Sequence, residues 1–499
     1  MKLAQILEGV PLRTPLAEDL CELPVAGLDY DSRRVEAGFL FFAFPGARAD
    51  GREFAQAAIA RGAVGVVSEL APPEGFRGFW IGVEHGRHAL ALAARNFYDK
   101  PDERVFLTGV TGTNGKTTTV FLIDSILHAS GKTTAMIGTI EYRLAGKVQA
   151  SVNTTPESLD LYRIFDALAA ARGTHATMEV SSHGLALGRV YGMTFHTAVF
   201  TNFTRDHLDF HGTMENYFAA KRQLFLPEAA PAPRWSILNA DDPALAALDP
   251  AGETLTYGFG QDALLHASDL ETGFHGLRFT VNYRGERVPI ESPLMGKINA
   301  YNILAACGSA LSYGLDWKAI QRGIADCRQV PGRFERVDQG QPFLVVVDYA
   351  HTDDALRNVI AVARELNPRR VLTLFGCGGD RDRLKRPLMG MAAGEASDFV
   401  ILTSDNPRSE DPIAIMNDAL VGLRRFDTPH MVEPDREKAI RAALLEAQAG
   451  DIVILAGKGH EPYQVLKDRV IHFDDREVAR AILRGLGYGP PLRPGKGKA

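Results

Sequence analysis

The chain has 499 residues, and at roughly 150 residues per domain this length suggests about three domains. Its 55 Lys and Arg residues against 61 Asp and Glu give a net charge of -6, with 45% hydrophobic and 23% charged residues. This balance excludes a mainly disordered chain. A mildly acidic protein exerts no long-range attraction on nucleic acid, so a nucleotide or phosphate partner must be held by a local site.

The N-terminus and the cysteines indicate the compartment. Glu8 and Pro11 interrupt the N-terminus before an apolar signal core could form, and no later run approaches the roughly 18 apolar residues of a membrane span. The cysteines are scattered without a CxxC pair, which favours reduced structural thiols over a disulfide or zinc framework; they are Cys21, Cys307, Cys327 and Cys377. We expect a cytoplasmic monomer without a membrane span or a nucleic-acid partner.

The residue pattern divides the chain into three α/β domains and a tail. Short strand-like runs and Ala/Arg-rich helical stretches over residues 1–100 indicate a small α/β domain. A strand, a glycine turn and a helix near the start of residues 101–332 are typical of a central nucleotide-binding domain with a parallel sheet. Apolar runs alternating with helical stretches over residues 333–490 predict a third, Rossmann-like domain. The Pro, Gly and Lys residues of 491–499 predict a flexible basic tail.

A glycine-containing loop lies between the predicted strand 105–110 and the helix that starts near Thr117. Backbone N–H groups and the helix N-terminus can converge here on phosphate oxygens, while Lys116 reaches the terminal phosphates and Thr117 offers its hydroxyl to Mg²⁺. The loop is shorter than G-x-x-x-x-G-K-[ST], because Val110 stands five positions before Gly115. A glycine turn that only caps a helix is the alternative, but the order of strand, loop, Gly-Lys-Thr and helix favours phosphate binding.

Acidic and histidine side chains follow two further predicted strands. Glu179 follows the predicted strand 176–178, and the segment 201–209 follows the other, so Glu179 and His207 could share one Mg²⁺ at the ligand-binding edge of a parallel sheet. The alternative is that His183, His207 and His211 are hydrogen-bonded structural residues. From its sequence alone, Lys221 is expected to be a solvated lysine on a helix.

Four charged or glycine-rich motifs follow strands of the last domain. The strand-end rule places them on one crevice; they cover residues 348–351, 376–383, 404–408 and 457–461. Guanidinium groups clamp carboxylates, and Glu461 or Asp405 can hold an ammonium group, so the crevice suits a zwitterion. The alternative is that charged residues simply populate exposed loops.

Together these segments resemble the Mur ligases, ATP-dependent amide-bond-forming enzymes of peptidoglycan precursor synthesis. The matches span all three predicted domains; they are TGTNGKTT, MEVSSHGL, TNFTRDHLDFHG, GKINAYN, PGRFE and DYAHTDDAL. GCGGDRDRLKRPLMG, DNPR and GKGHE resemble the subgroup that adds the third residue of the peptide, and DNPR is the pattern of its meso-diaminopimelate-adding form. The resemblance implies that D-Glu of UDP-N-acetylmuramoyl-L-Ala-D-Glu is activated by ATP as an acyl phosphate and then captured by the diaminopimelate amine.

The resemblance also implies residue roles in the ATP site. The phosphates would lie on Gly112, Thr113, Asn114, Gly115, Lys116, Thr117 and Thr118. Mg²⁺ would bind at Thr117, Glu179 and His207, and Lys221, which is carbamylated in the family, would supply an anionic oxygen ligand to a second Mg²⁺. Lys116, Glu179, His207 and Lys221 would form the catalytic set. Asn299 and Asn302 match residues near adenine, while Arg333 and Asp348 match residues that join the last domain to the nucleotide.

For the other two substrates the resemblance implies two further sets. The UDP-sugar residues would be Ser32, Thr154, Thr155, Ser181 and Arg189. The diaminopimelate residues would be Arg381, Asp405, Asn406, Pro407, Arg408, Gly457 and Glu461, with Arg408 pairing with the distal carboxylate that lysine lacks. Two positions depart from the family pattern: Leu187 stands where a glutamine is expected, and the loop 45–48 lacks the expected His and Asn side chains on the uridine side.

Three other functions remain as alternatives at this stage. A lysine-adding ligase of the same fold is distinguished by Arg408, which lysine-adding relatives lack. Folylpolyglutamate synthetase shares the variant phosphate loop. A P-loop ATPase or nucleotide-binding regulator, whose last domain binds a partner, would hydrolyse ATP independently of an amino acid.

Overall fold

The computed structural model describes residues 1–46 and 49–489. Its contacts divide the chain into two compact units. The first comprises Met1–Ser268, Thr280–Val288 and Tyr301–Asp326; the second comprises Asp269–Phe279, Pro289–Ala300 and the described residues from Cys327 to Gly489. The predicted tail 491–499 lies outside the described residues, as do Ala47 and Arg48 of the uridine-side loop.

The first hundred residues form a four-stranded sheet in which each strand pairs in parallel with the next along the chain. All but the first of the β2 residues, FLFF, are buried, as expected for a strand that is covered on both faces. The strands are β1 (Gly27–Asp29), β2 (Phe39–Phe42), β3 (Gly65–Ser68) and β4 (Trp80–Gly82), and the helices are α1 (Leu3–Ile6), α2 (Glu18–Cys21), α3 (Ala55–Ala60) and α4 (Gly86–Phe97), with 3₁₀ turns at Ser32–Arg34, Gly51–Phe54 and Pro101–Glu103.

The next segment builds an 11-stranded sheet. Its strands are β5 (Phe106–Thr111), β6 (Thr134–Ile137), β7 (Glu141–Leu144), β8 (Lys147–Ala150), β9 (His175–Glu179), β10 (Thr197–Phe200), β11 (Trp235–Asn239), β12 (Glu253–Gly258), β13 (Leu265–Gly273), β14 (Gly276–Tyr283) and β15 (Glu286–Ser292). Its helices are α5 (Lys116–Ala129), α6 (Ser158–Ala170), α7 (Ser182–Ala186), α8 (Leu208–His211), α9 (Met214–Arg222), α10 (Lys297–Ser312) and α11 (Trp317–Asp326), with a 3₁₀ turn at Pro243–Ala247.

The strand order of this sheet is β15-β14-β13-β12-β11-β10-β5-β9-β6-β7-β8. Pairing is parallel from β12 through β11, β10, β5 and β9 to β6, and antiparallel for β7 and β8. The carboxyl ends of β5, β9 and β10 therefore lie side by side at one edge. This is the arrangement that the sequence predicted for the glycine loop, Glu179 and the segment after Phe200.

The last part of the chain forms a six-stranded sheet of order β16-β17-β21-β18-β19-β20, in which every pairing is parallel except that of β16 with β17. The strands are β16 (Glu335–Arg336), β17 (Leu344–Asp348), β18 (Val371–Phe375), β19 (Phe399–Thr403), β20 (His430–Glu433), β21 (Ile452–Ala456), and the antiparallel pair β22 (Tyr463–Val465) and β23 (Val470–His472). The helices are α12 (Asp353–Glu365), α13 (Lys385–Ala396), α14 (Pro412–Leu423), α15 (Arg436–Glu446) and α16 (Asp475–Gly485).

Helices cover this sheet on both faces. Successive side chains of a strand point to opposite faces of the sheet. Val346 and Ile454 therefore belong to one buried apolar cluster, and their sequence neighbours Val345 and Leu455 belong to another. The first cluster includes residues of α12, α13 and α14, and the second includes residues of α15 and α16. The predicted α/β fold with parallel sheets is thus confirmed. Among the described residues, none of the helices has the length and apolar character needed to cross a membrane.

A cluster of rings packs at the amino ends of β5, β9 and β10. The His175 ring lies 5.1 Å from Phe106 and 4.8 Å from Tyr313, between ring centroids. Burial lowers the pKa of His175 from 6.5 to about 4, with a smaller contribution from the charge of Lys132. The folded chain therefore keeps this imidazole neutral at a pH where the unfolded chain would protonate it.

This difference makes stability depend on pH. The unfolded chain binds more protons than the folded chain between pH 6.5 and pH 4, so the free energy of unfolding should decrease as pH falls through this window, by at most about 3 kcal/mol from His175. Urea unfolding at several pH values checks this: His175→Asn should flatten the acid slope. His472→Gln is the control, since the Glu477 hydrogen bond raises the pKa of this exposed histidine. An unchanged slope in His175→Asn would contradict the prediction.

Candidate active site

The glycine loop is a tight turn between β5 and α5. Gly112 has φ +140° and Gly115 has φ +84°, values that L side chains rarely adopt. A Cβ atom at Gly112 would stand 1.9 Å from Thr201 Oγ1, and one at Gly115 would stand 2.3 Å from Asn302 Oδ1. Glycine is therefore required at both positions by conformation and by space. The turn leads directly into the N-terminus of α5, whose first amide groups have no partner within the helix and favour an anion.

Lys116 is the first residue of α5, and its side chain folds back over the loop. Its ammonium donates hydrogen bonds to the carbonyl oxygens of Gly112 (2.8 Å) and Thr113 (2.9 Å). Thr117 and Thr118, which follow it, are both buried. The positive charge of Lys116 is thus held at the mouth of the turn, where a phosphate group on the loop would meet it.

The segment after β10 supports the loop from the neighbouring strand. The Thr113 amide donates to the Asn202 carbonyl (2.8 Å), and the Asn114 amide donates to Asn202 Oδ1 (2.9 Å). The hydroxyl of Thr201 donates to the Asn114 carbonyl at 2.5 Å. The TNFT sequence therefore shapes the phosphate loop, a role that the sequence analysis did not assign to it.

Glu179 is the last residue of β9 and pairs in register with Val110 of β5. Its carboxylate is 1% exposed and accepts hydrogen bonds from the Thr139 amide (2.8 Å) and hydroxyl (3.1 Å). Thr139 was missed in the sequence, because it stands far from Glu179 along the chain. The geometry brings an anionic oxygen donor beside the strand that carries the phosphate loop.

His207 immediately precedes α8 and has a left-handed backbone, with φ +53°. Its Nε2 lies 3.3 Å from a carboxylate oxygen of Asp206. Burial lowers the pKa of His207 although the charge of Asp206 opposes this, and the positive charges of Lys116 and Lys221 lower it further. His207 is therefore within electrostatic range of both lysines, and its imidazole is favoured in the neutral form that binds a metal.

The expectation that Lys221 is solvated is wrong. Its side chain is 1% exposed, and Nζ donates to the Gly112 carbonyl at 2.7 Å and lies 4.5 Å from the centre of the Tyr217 ring. Tyr217 is one helical turn earlier, so both residues occupy the buried face of α9. Burial, and to a lesser extent the charge of Lys116, hold the pKa of Lys221 well below its ordinary value.

Four of the five predicted UDP-sugar residues form one network with Glu179. The Thr155 hydroxyl donates to the Glu179 carbonyl (2.9 Å) and accepts from the Ser181 amide (3.0 Å). Arg189 Nη1 donates to the Thr155 carbonyl at 2.9 Å, and the Thr154 hydroxyl lies 3.0 Å from that of Thr139. The predicted sugar residues and the predicted metal ligand thus share one region of the first unit.

Ser32, the fifth predicted sugar residue, begins a 3₁₀ turn in the N-terminal sheet region. The segment before it is held by Asp29, which is 1% exposed and accepts hydrogen bonds from Arg34 (2.9 Å) and from Arg163 (3.0 Å) of α6. Near the uridine-side loop, Arg87 donates to the Pro45 carbonyl at 3.2 Å. Leu187, the other departure from the family pattern, directly follows α7 and is half-buried.

Two asparagines predicted near adenine lie on α10. Asn302 is 3% exposed and belongs to the first unit, where its Oδ1 accepts from the Thr119 hydroxyl at 3.5 Å and faces Gly115. Asn299 is 7% exposed and belongs to the second unit, where its amide donates to the Met295 carbonyl at 2.8 Å. Asn302 is thus brought directly against the phosphate loop.

Asp348 and Arg333 lie in the second unit. The Asp348 carboxylate accepts from the amides of Phe334 (2.7 Å) and Ala350 (2.9 Å), and burial raises its pKa although the charge of Arg333 opposes this shift. The Arg333 guanidinium lies 5.2 Å from the centre of the Tyr349 ring. These contacts place the two predicted nucleotide residues of the last domain close to one another.

The carboxyl ends of β18, β19 and β21 carry the predicted amino-acid site. Asp405 and Asn406, just after β19, are almost fully buried, and the Asn406 amide donates to Glu461 Oε2 at 3.0 Å. Arg408 has φ +52° and donates from Nη1 to the Gly379 carbonyl at 2.8 Å. The prediction that these loops meet at one edge is confirmed for the segments after β18, β19 and β21.

The remaining predicted residues of this site differ in exposure. Gly457 has φ +110°, and a Cβ there would lie 2.5 Å from Asp405 Oδ2, so the loop passes close over that carboxylate. The Pro407 carbonyl packs against Gly379, where a Cβ would stand 1.9 Å from it. Arg381 is exposed and donates to the Asp380 carbonyl at 3.0 Å.

Lys458 is a buried cation at this site that the sequence analysis did not single out. It is 0% exposed, and its Nζ lies 3.6 Å from Glu461 Oε2 and 3.5 Å from Asn406 Oδ1. Lys458 lies within the GKGHE sequence that was already identified as a motif. A lysine beside a glycine, however, forms no pattern from which burial could be predicted.

The described residues include no group of three or more His, Cys, Asp and Glu side chains arranged to hold a metal ion. The donors predicted for Mg²⁺ are nevertheless of the right kind: the Thr117 hydroxyl and the Glu179 carboxylate are buried oxygen donors, and the His207 imidazole is favoured neutral. Mg²⁺ commonly takes one or two protein ligands and completes its shell with phosphate and water oxygens. The residues present therefore fit a magnesium ion that arrives with a nucleotide.

Known proteins resemble the chain over almost its whole length. Three family descriptions match it: "Mur ligase family, catalytic domain" at residues 24–98, "Mur ligase middle domain" at 110–310 and "Mur ligase, glutamate ligase domain" at 332–459. The chain is 67% identical to the UDP-N-acetylmuramoyl-L-alanyl-D-glutamate–2,6-diaminopimelate ligase of Solibacter usitatus, covering 98% of this chain and 99% of that relative. It is 43% identical to the ligase of the same name from Syntrophomonas wolfei, covering 97% and 99%.

A solved structure shows the same architecture. A UDP-N-acetylmuramoyl-L-alanyl-D-glutamate–2,6-diaminopimelate ligase superposes with a TM-score of 0.70 at 34% identity, covering 95% of this chain and 98% of that one. The similarity thus extends through all three sheet regions.

Proposed function

The chain belongs to the Mur ligase family, and we propose on this premise that it adds meso-2,6-diaminopimelate to the γ-carboxylate of D-Glu in UDP-N-acetylmuramoyl-L-Ala-D-Glu. The reaction consumes ATP, releases ADP and phosphate, and belongs to peptidoglycan precursor synthesis. The observation that carries this assignment is the Asp405–Arg408 loop, which joins Glu461 at the carboxyl edge of the last sheet and resembles the loop of diaminopimelate-adding ligases.

The phosphate loop supplies the first step. The glycine turn and the α5 N-terminus hold the ATP phosphates, and Lys116 leaves the loop carbonyls to contact the terminal phosphates. The substrate γ-carboxylate then attacks the γ-phosphorus, a C–O–P linkage forms, and the bond from phosphorus to the ADP oxygen breaks. Several anionic groups approach one another in this step, so the main work of Lys116 is to offset their repulsion.

One Mg²⁺ would be held by Thr117, Glu179 and His207, and a carbamylated Lys221 would supply an oxygen ligand to a second Mg²⁺. When bound, the metal neutralises phosphate charge and stabilises the transferring phosphoryl group. Lys221 suits carbamylation, because it is buried beside the positive charge of Lys116 and its conversion to an anionic carbamate removes that repulsion. Glu179 is held in place by Thr139, so its free lone pairs point in fixed directions.

The second step joins the amino acid to the acyl phosphate. The diaminopimelate amine attacks the activated carbonyl carbon, an amide bond forms, phosphate leaves and the amine loses a proton. Arg381, Asn406, Pro407, Arg408 and Gly457 would orient the substrate, while Asp405 and Glu461 hold an ammonium group. Ser32, Thr154, Thr155, Ser181 and Arg189 would hold the UDP-sugar, and Asn299, Asn302, Arg333 and Asp348 the nucleotide.

Phosphate release from ATP in the presence of UDP-N-acetylmuramoyl-L-Ala-D-Glu tests this function. Reactions with meso-diaminopimelate, with L-lysine and with no amino acid are compared, and the product mass is determined. We expect phosphate and amide only with diaminopimelate. Equal use of lysine would reject the specificity but retain a ligase, and turnover independent of both substrates would indicate an ATPase. Glutamylation of folate would instead favour the folylpolyglutamate alternative.

Arg408 should decide between diaminopimelate and lysine. Arg408→Ala leaves the distal carboxylate of diaminopimelate unpaired, and the loss of a buried charged partner costs about 2–5 kcal/mol. We therefore expect the KM for diaminopimelate to rise by about 30-fold or more, while the KM for ATP is unchanged. Arg424→Ala, on an exposed arginine of the same unit, is the control. A diaminopimelate KM that stays the same in Arg408→Ala would remove the argument for specificity.

We also propose which segment of the chain binds each substrate, where in the cell the enzyme works, and its oligomeric state. Residues 1–100 would form a UDP-sugar-binding domain, 101–332 an ATP-binding domain that also supplies Thr154, Thr155, Ser181 and Arg189 to the sugar, and 333–490 an amino-acid-binding domain that supplies Arg333 and Asp348 to the nucleotide. A cytoplasmic location is supported by the substrates, since ATP and nucleotide-linked sugars are made there. A monomer is supported by the fact that one chain supplies every residue assigned to the three substrates, and sedimentation at several concentrations checks it.

A further inference from the structure

Arg436 is a fully buried cation in the last sheet region. It is the first residue of α15, and its guanidinium donates from Nε (2.8 Å) and Nη2 (2.6 Å) to the carboxylate of Asp475, the first residue of α16. Both side chains are 0% exposed. Such a pair needs further hydrogen bonds to offset the cost of removing two charges from water.

Those hydrogen bonds go to the two loops of the amino-acid site. Arg436 Nη1 donates to the Ser404 carbonyl at 3.3 Å, and Nη2 donates to the Ala456 carbonyl at 3.0 Å. Ser404 directly precedes Asp405, and Ala456 is the last residue of β21. Because β18 lies between β19 and β21 in the sheet, the guanidinium links the loop after β19 to the carboxyl end of β21, although these two strands do not pair with each other.

The charge of Arg436 also acts on the two carboxylates that those loops carry. Burial disfavours its positive charge, but the negative charges of Asp475, Asp405 and Glu461 and the hydrogen bonds to Asp475 together favour it, so the pKa of Arg436 is raised. Asp405 is 7% exposed, and no hydrogen bond to its carboxylate is formed by the described residues. The positive charge of Arg436 therefore interacts favourably with both carboxylates of the predicted amino-acid site.

We propose that Arg436 is a positioning residue for the amino-acid substrate: by tying the Ser404 and Ala456 carbonyls together, it sets the separation of Asp405 and Glu461, which receive the substrate ammonium. This inference rests on the proposed function. Arg436 would contact no substrate itself, and its replacement would affect the binding of diaminopimelate alone.

Arg436→Lys tests the proposal. Lysine keeps the positive charge but cannot donate in the planar fork that reaches Asp475 and both carbonyls. We expect the KM for diaminopimelate to rise about tenfold or more, as for other residues that hold a ligand-binding group in place. The KM values for ATP and for UDP-N-acetylmuramoyl-L-Ala-D-Glu, and the kcat at saturation, should stay within about twofold of the parent.

Arg370→Lys is the matched control. Arg370 donates from Nε (3.2 Å) and Nη2 (2.8 Å) to the buried Asp451, and so ties β18 and β21 at their opposite, amino ends. This variant should lower Tm without changing the KM for diaminopimelate. A similar rise in both variants, an equal change in all three KM values, or no change in Arg436→Lys would overturn the proposal.

Asp475→Asn tests the proposal independently if Arg436→Lys does not fold. Asp475→Asn keeps the size of the side chain and weakens its hold on the guanidinium, so a smaller rise confined to the diaminopimelate KM is expected, and its absence rejects the proposal. Failure of the proposed function is distinguishable, because the parent protein would then form no amide with diaminopimelate.

Discussion

Replacing Lys116 with methionine should lower kcat by about a thousandfold, the upper end of what one group that stabilises developing charge supplies. Methionine has a similar length but no charge, so the loop keeps its shape and loses the cation that we propose contacts the terminal phosphates. The two hydrogen bonds to the Gly112 and Thr113 carbonyls are also lost, but both acceptors belong to a turn that Asn202 holds independently. The measurement is phosphate release with all three substrates at saturation.

Lys147→Met is the control for this variant, because Lys147 is an exposed lysine of β8. Its kcat should equal that of the parent. Thermal unfolding of both variants, recorded without nucleotide, should differ little from the parent. If Lys116→Met retained most of its activity, the glycine turn would be a helix cap and the phosphate site would have to lie elsewhere.

Replacing Lys221 with alanine should lower kcat by about a hundredfold or more, and added formate or acetate should restore part of the activity. Alanine removes the side chain that a carbamate would occupy and leaves a space into which a small carboxylate can bring an oxygen ligand. Partial restoration is expected only if the missing group was an anion. Carbon-13 NMR of the parent protein in labelled bicarbonate tests the carbamate directly.

Arg222→Ala serves as the comparison on the same helix, since Arg222 is exposed and adjacent in sequence. It should show parental activity with no response to formate. Two results together would reject carbamylation: Lys221→Ala that is equally inactive with and without carboxylates, and no carbamate signal in the carbon-13 spectrum of the parent protein. Lys221 would then serve as a hydrogen-bond donor to the Gly112 carbonyl.

Local sequence patterns predicted the features whose causes are local. The glycine loop could be placed because the strand, the turn and the Gly-Lys-Thr sequence occur within a short stretch, and Glu179 could be placed because it ends a strand. The burial of Lys221 could not be predicted, because a lysine on an amphipathic helix is usually solvated. Only the packing of α9 against the loop, recorded by the contact with Gly112, shows that this face of the helix is inside.

Contacts between distant parts of the chain escaped sequence reasoning for a different reason. Thr139 holds Glu179, and Arg436 joins Ser404 to Ala456, across separations that no periodicity encodes. The resemblance to a family supplied the residues that we propose contact substrates, because those residues lie in recognisable motifs. The residues that hold them in place carry ordinary polar side chains and are found only in three dimensions.

The position of β21 between β17 and β18 bears on how the protein is made. The ribosome synthesises β17, β18 and β19 well before β21. In the folded sheet, however, β17 and β18 do not pair with each other, because β21 lies between them and pairs with both. Parallel pairing between distant segments is slow, and domains tend to fold in the order of synthesis. A nascent chain can therefore complete the glycine loop after β5 while the proposed amino-acid site is still unformed, so we expect a chain that ends before Ile452 to have no ligase activity.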